Sequence, residues 1–234
     1  MNDQQIINTY LFVSSSKLSI SVYNSTETKA LFFEELIIDQ DSGELDFEIL
    51  DIFLEKNIFK VEKLIKNFVK SIYLILDCKD FLPVKISIKE NNNDNISHHH
   101  NLKNLLELSR DCCKKTLENC RLIHILIDNY QIDKKNFSSL PKQIDCKDFS
   151  LDITFIGLPD NILKNFEDIL RKYQISIKKV LNAKYLTEFF KKKENNIFTM
   201  AHKIIDGFNQ NEVLLVPKIQ KNKGFLERFF HFFS

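Results

Sequence analysis

Glycine and proline are scarce in this chain, with four of each in 234 residues. The two glycines nearest in sequence, Gly207 and Gly224, are 17 positions apart (224 − 207). No glycine-rich loop can therefore let the backbone close around a pyrophosphate, which excludes complete P-loop and dinucleotide fingerprints. A dominant charge is also missing, because 33 basic against 32 acidic side chains leave a net charge of +1. No global field favours nucleic acid or an acidic polymer as a partner. The five cysteines form no metal-ligand pattern: Cys112 and Cys113 are adjacent, and Cys78, Cys120 and Cys146 have no CxxC or CxxH neighbour. An odd cysteine count, and an opening Met1-Asn2-Asp3-Gln4-Gln5 with no basic or apolar leader character, point to a reducing cytoplasm. The longest apolar stretch, Ile72 to Leu76, falls far short of the roughly 20 residues that span a bilayer.

What is present is a core's worth of apolar side chains, 44% hydrophobic and 12% aromatic. That supports one large or two small folded domains. Tyr10 to Val13, a serine turn, and Leu18 to Tyr23 with apolar residues at every second position predict two strands and a tight connection. A third strand is expected at about Ala30 to Ile38. The period then changes to about 3.6, with Val61, Leu64, Ile65, Phe68, Ile72 and Leu76 on one stripe, so a helix is expected there. Ile72 to Leu76 fits a buried strand equally well. Val84 to Lys89 alternates as a strand, Glu90 to His100 is expected to be an exposed loop, and Leu102 to Asn119 a helix. Strands are expected at Leu122 to Ile127, Leu151 to Ile156 and Ile175 to Leu181, with helices after Pro159 and from Ala183 to Lys193. Ile197 to Phe208 is expected as a short helix and Val213 to Val216 as a strand. The fold class is mixed α/β with antiparallel character.

The last segment has a character of its own. Lys218, Lys221 and Lys223 lead into a run in which Phe225, Leu226, Phe229, Phe230, Phe232 and Phe233 share an arc of about 160° on a helix. Glu227, Arg228, His231 and Ser234 take the remainder. Residues 218–234 hold four basic side chains against one acidic. A phenylalanine face beside cations suits a membrane interface, with rings among acyl chains and lysines near anionic headgroups. The same face could instead dock on the protein's own sheet. His98-His99-His100 reads as solvated polypeptide, and His124, inside an apolar strand, as a satisfied structural histidine. Ser14-Ser15-Ser16 has no nucleophile-elbow context. No residues present themselves as catalytic or metal-binding, so no enzymatic activity is expected.

The order of these features resembles the bacterial cell-division protein family FtsA, actin-like proteins with an inserted strand-helix-strand-strand (SHS2 or 1C) module. Leu11-Phe12-Val13-Ser14-Ser15-Ser16-Lys17-Leu18 is similar to the family's first phosphate loop, L-D-I-G-S-S-K-I. Phe59 to Lys66 followed by Val84 to Ile88 resembles the start of the inserted module. Leu122 to Asp133 resembles the L-H-x-I-P-x-x-Y-x-[VL]-D segment, and Asn161 to Tyr185 continues the likeness. Val216-Pro217-Lys218 and Gly224 to Phe233 resemble the basic tether and membrane-targeting helix. The resemblance implies an actin-like strand remnant over residues 1–44, an interaction module over 45–193, a tether over 194–222 and an amphipathic helix over 223–234. It further implies a divisome scaffold at the inner face of the cell membrane. The implied membrane contacts are Lys221, Lys223, Phe225, Leu226, Arg228, Phe229, Phe230, Phe232 and Phe233, on anionic lipid. Other division proteins, or further copies of the chain, would bind through the module.

The departures matter as well. Phe12 replaces the family's acidic residue and Ser14 its glycine, so Ser14, Ser15, Ser16 and Lys17 form a degenerate loop, and no cofactor is expected. The second phosphate loop and the region that meets FtsZ have no counterpart, so FtsZ contact is not carried over. The other readings are a soluble binding domain whose last helix completes its own core, and a nucleotide-dependent enzyme without recognisable loops.

Overall fold

A computed structural model describes residues 7–24, 29–39, 43–91, 98–141, 148–191 and 193–214. In chain order its elements are β1 (Ile7–Ser14), β2 (Lys17–Asn24), β3 (Ala30–Ile37), α1 (Phe47–Ile65), β4 (Ser71–Asp77), β5 (Leu82–Asn91), α2 (His98–Thr116), β6 (Cys120–Ile132), β7 (Lys135–Phe137), β8 (Asp148–Pro159), α3 (Asp160–Lys172), β9 (Ser176–Asn182), α4 (Ala183–Phe190) and α5 (Ile197–Ile205). The class is mixed α/β, with two sheets and five helices among the described residues.

The first sheet has the order β3-β2-β1-β4-β9. Its first three strands are antiparallel, and β1, β4 and β9 run parallel. Ile72 to Leu76 are all buried in β4, the middle of the three parallel strands, and a continuous apolar run is what such a central strand requires. Here the two readings of Ile72 to Leu76 separate. Helix α1 begins at Asp46, whose carboxylate accepts from the amides of Glu48 and Ile49 at 3.0 and 2.9 Å, and it stops at Lys66, which takes a left-handed conformation. Phe68, expected on the buried stripe, is instead 77% exposed in the connection to β4.

Helices lie on both faces of this sheet. Consecutive residues of β3 show it: Phe33 meets Phe198 of α5, while Glu34 reaches Lys60 of α1. Helix α3 packs beside α1 and against β9, and α4 packs on β4 and β9 and against α5. These elements share one core, from Leu11, Ile20 and Leu74 through Leu54 and Phe166 to Leu186 and Ala201.

The second sheet, β5-β8-β6-β7, is antiparallel throughout and has its own core. Leu105 and Cys113 of α2, and Leu117 just after it, pack there with Ile125, Ile127, Leu151, Ile153 and Phe155. Its main elements follow one another as strand, helix, strand, strand, and all of them fall between β4 and α3 in the sequence.

The architecture therefore moves the divisions expected from sequence. A boundary at 44/45 would cut the first sheet, whose strands β4 and β9 lie beyond it, and α1 belongs to the first core rather than opening the module. Strand β4 lies between β1 and β9 in that sheet, where its apolar run is buried, and β9 forms the sheet's edge. The second sheet and α2 occupy residues 82–159. Of the loop expected over Glu90 to His100, Glu90 and Asn91 belong to β5 and His98 to His100 to α2, and residues 92–97 lie outside the described residues. Of the strand expected at Val213 to Val216, only Val213 and Leu214 are described and neither is in a strand, although Val213 donates to the Ile125 carbonyl and the preceding Glu212 makes an isolated bridge with Leu126.

Candidate functional site

The degenerate phosphate loop is the two-residue connection of the β1–β2 hairpin, at the carboxyl end of β1. In parallel α/β sheets that end is where ligands bind. Here the loop's polar atoms are engaged with one another. The Ser14 hydroxyl donates to the Lys17 carbonyl at 3.1 Å and lies 3.5 Å from the Ser16 hydroxyl. The Lys17 ammonium pairs with Glu35 at 3.3 Å and sits 5.4 Å from the centre of the Phe12 ring. Phe12 itself is buried where the family pattern has an acid. Ser15 completes the turn. Beside Ser14 in the parallel register stands Asp77, and the next residue, Cys78, has its thiol pushed up to about 11 by burial.

A cleft lies at the other end of the strands. It is a groove of about 570 Å³ between α1 and the end of α3, lined by Phe59, Glu62, Phe68, Lys70, Lys172 and Gln174. Lys70 directly precedes β4 and Gln174 lies two residues before β9, at the amino ends of these strands and away from the hairpin turn.

A third arrangement joins the two sheets, and it centres on His124. This residue of β6 is buried, its Nε2 accepts the Asn182 amide at 3.1 Å, and its Nδ1 lies 2.9 Å from Glu212 Oε1. An Nε2 that accepts leaves the proton on Nδ1, so the ring is neutral and donates to Glu212. Burial holds the His124 pKa below its ordinary value, against the pull of Glu212. Lys179 of β9 donates to the same Glu212 oxygen at 3.2 Å, and the Tyr185 hydroxyl of α4 donates to the other at 3.1 Å. Asn209 in turn donates to the Tyr185 hydroxyl at 2.8 Å. Burial pushes the Glu212 carboxyl upward, but His124 and Lys179 outweigh it and hold it below the usual carboxylate range.

The structure thus agrees with the sequence on His124 as a structural residue with satisfied nitrogens, and supplies the partners. Glu212, Lys179, Tyr185 and Asn182 were not singled out by sequence. The one available signal was a lone glutamate at the head of the apolar run Val213 to Val216. The cluster and the hairpin turn are separate sites. His98, His99 and His100 fall in the first turn of α2. Among the described residues no group of three or more His, Cys, Asp or Glu is placed to hold a metal, and no helix is long and apolar enough to cross a membrane. The expected membrane contacts, Lys221, Lys223, Phe225, Leu226, Arg228, Phe229, Phe230, Phe232 and Phe233, lie outside the described residues.

No protein-family model and no curated protein matches the chain. Three solved structures align with it in part. The cytoplasmic domain of EpsL, an inner membrane component of the type II secretion system of Vibrio cholerae, is 14% identical with a TM-score of 0.37, over 77% of this chain and 57% of that one. A PilM-PilN type IV pilus biogenesis complex gives 8% identity and a TM-score of 0.49, over 81% and 51%. A Bacteroides thetaiotaomicron protein with an actin-like ATPase fold and unknown function gives 16% and 0.33, over 82% and 60%. The chain spans between 51% and 60% of the length of these structures.

Proposed function

We propose that the protein is a membrane-associated scaffold of the FtsA type, which holds division proteins at the inner face of the cell membrane without hydrolysing ATP. The observation that carries this reading is the insertion. A strand-helix-strand-strand unit with its own core is set between two strands of a single sheet, as the sequence resemblance implies for an actin-like domain with its interaction module. The hairpin turn supports the non-enzymatic part. Its lysine is engaged by Glu35 and Phe12, its first serine bonds within the turn, and phosphate binding would have to break those contacts. A scaffold needs surface and strand edges rather than catalytic groups, and β3, β5, β7 and β9 are the outer strands of the two sheets.

In this reading the basic, phenylalanine-rich segment 223–234 supplies the membrane contact, and several copies together make it durable, because one short amphipathic helix binds reversibly. Expression of the chain truncated after residue 222 tests it. The truncated protein is expected in the soluble fraction and the full chain with the membranes. A membrane fraction unchanged by the truncation contradicts the proposal.

A further inference from the structure

The carboxylate that completes the junction comes from a strap, residues 209–214, laid along the edge of β6. The amide of Ile127 donates to the Asn211 carbonyl at 3.0 Å and the amide of Val213 to the Ile125 carbonyl at 2.9 Å. Farther along the same strand, Tyr130 to Ile132 pair with β7. A short piece of chain therefore fills the part of this edge that β7 leaves open.

Receptor and occupant differ in how firmly they are held. Strand β6 is paired with β8 along nearly its whole length. His124 is fixed from behind by the Asn182 amide, and the Asn182 side chain is itself fixed by accepting the Tyr185 amide at 3.1 Å. None of those contacts involves the strap. The strap is held by the two ladder bonds, by side-chain bonds of Asn209, Asn211 and Glu212, and by Val213 against the module core. It is preceded by Gly207, at φ +81°, and by Phe208, 63% exposed and stacked on Phe190, and it ends at Leu214, 54% exposed. Gly207 in that conformation closes the end of α5, its amide donating to the Ile204 carbonyl at 3.1 Å, just before the strap begins.

We propose that the open edge of β6 at Ile125–Ile127, with His124, Lys179 and Tyr185, is a binding site for an extended acidic strand of a partner protein, closed in cis by residues 211–213. Main-chain bonds to the edge give affinity to any extended segment. The three converging donors give selectivity, because a strand without a carboxylate leaves a buried imidazole N–H and a tyrosine hydroxyl unpaired. The fitting partner presents a glutamate between residues that extend along the edge, as Asn211-Glu212-Val213 does. This site is separate from the hairpin turn and from the membrane segment, and the proposal does not rest on the membrane reading.

Fluorescence anisotropy with a labelled synthetic peptide of residues 207–216 tests it, using the full chain and the full chain carrying Glu212→Gln. Weakening the strap in cis is expected to raise affinity for the peptide about tenfold over the parent chain, and a peptide with Glu212→Gln to bind about tenfold more weakly than the parent peptide. A folded variant chain that binds neither peptide, or both equally, overturns the proposal. If the variant does not fold, hydrogen exchange on the parent chain decides. The amides of Ile127 and Val213 are expected to exchange together, at least about tenfold faster than those in the interior of β8. Exchange of those two amides only with global unfolding overturns it.

Discussion

A carboxylate can be buried in a folded chain only when its lost hydration is replaced bond for bond. Glu212 meets that condition with a neutral imidazole N–H, an ammonium and a phenol hydroxyl, and the pairing has a consequence for pH. His124 has a folded-state pKa below its unfolded value of 6.5, so the unfolded chain takes up the proton first. Stability is therefore fully present above that value and is lost as the pH falls below it. Protonation would also cost the bond from the Asn182 amide, since Nε2 could no longer accept. Urea unfolding is expected to show stability falling between about pH 7.5 and about pH 5.5, with a smaller slope in His124→Asn, which has no titrating ring. His124→Ala at pH 7.5 is expected to cost about 2–4 kcal/mol, because it strips a donor from Glu212 and an acceptor from Asn182. An unchanged slope in His124→Asn contradicts the assignment of a buried neutral ring. The structural character of His124 was legible from its apolar neighbours. Its partners were not, because Glu212 and Asn182 reach it only through the fold.

At the scale of elements, the same apolar spacing served two structures in succession. Val61 and Ile65 belong to α1 and Ile72 to Leu76 to β4, and nothing in the 3.6-residue pattern marks the break at Lys66, a non-glycine residue in a left-handed conformation. Stability measurements separate the two readings. Leu74→Ala, at a position with no exposure in β4, is expected to cost about 2–5 kcal/mol in urea unfolding. Phe68→Ser is expected to stay within about 0.5 kcal/mol, because its ring is mostly in solvent. A large loss for Phe68→Ser would restore the longer helix. The hairpin β1–β2, the alternating β5 and the helix after Pro159 were all legible, because period and turn residues are local signals. Strand pairing is not local. That β4 sits between β1 and β9, with the whole module intervening in sequence, could not be read from spacing, and for that reason the boundary expected at 44/45 divides a single sheet.

For the molecule as a whole, two units with separate cores follow from one insertion, and their junction is bridged by the His124 cluster, whose members come from β6, β9, α4 and the strap. The first unit carries a hairpin turn whose serine and lysine are engaged by neighbouring groups, and the second offers strand edges. A scaffold that works by position needs both units held in register and a means of staying at the membrane. Under the proposed function the basic, phenylalanine-rich segment provides membrane attachment and nucleotide does not govern it. Co-sedimentation with anionic liposomes, with and without magnesium ATP, tests this most directly when the parent chain is run beside a Phe229→Glu, Phe233→Glu variant shown by circular dichroism to be equally folded. The account predicts that the parent sediments equally with and without ATP and that the variant stays in solution. Equal sedimentation of parent and variant, or sedimentation that requires ATP, would contradict it.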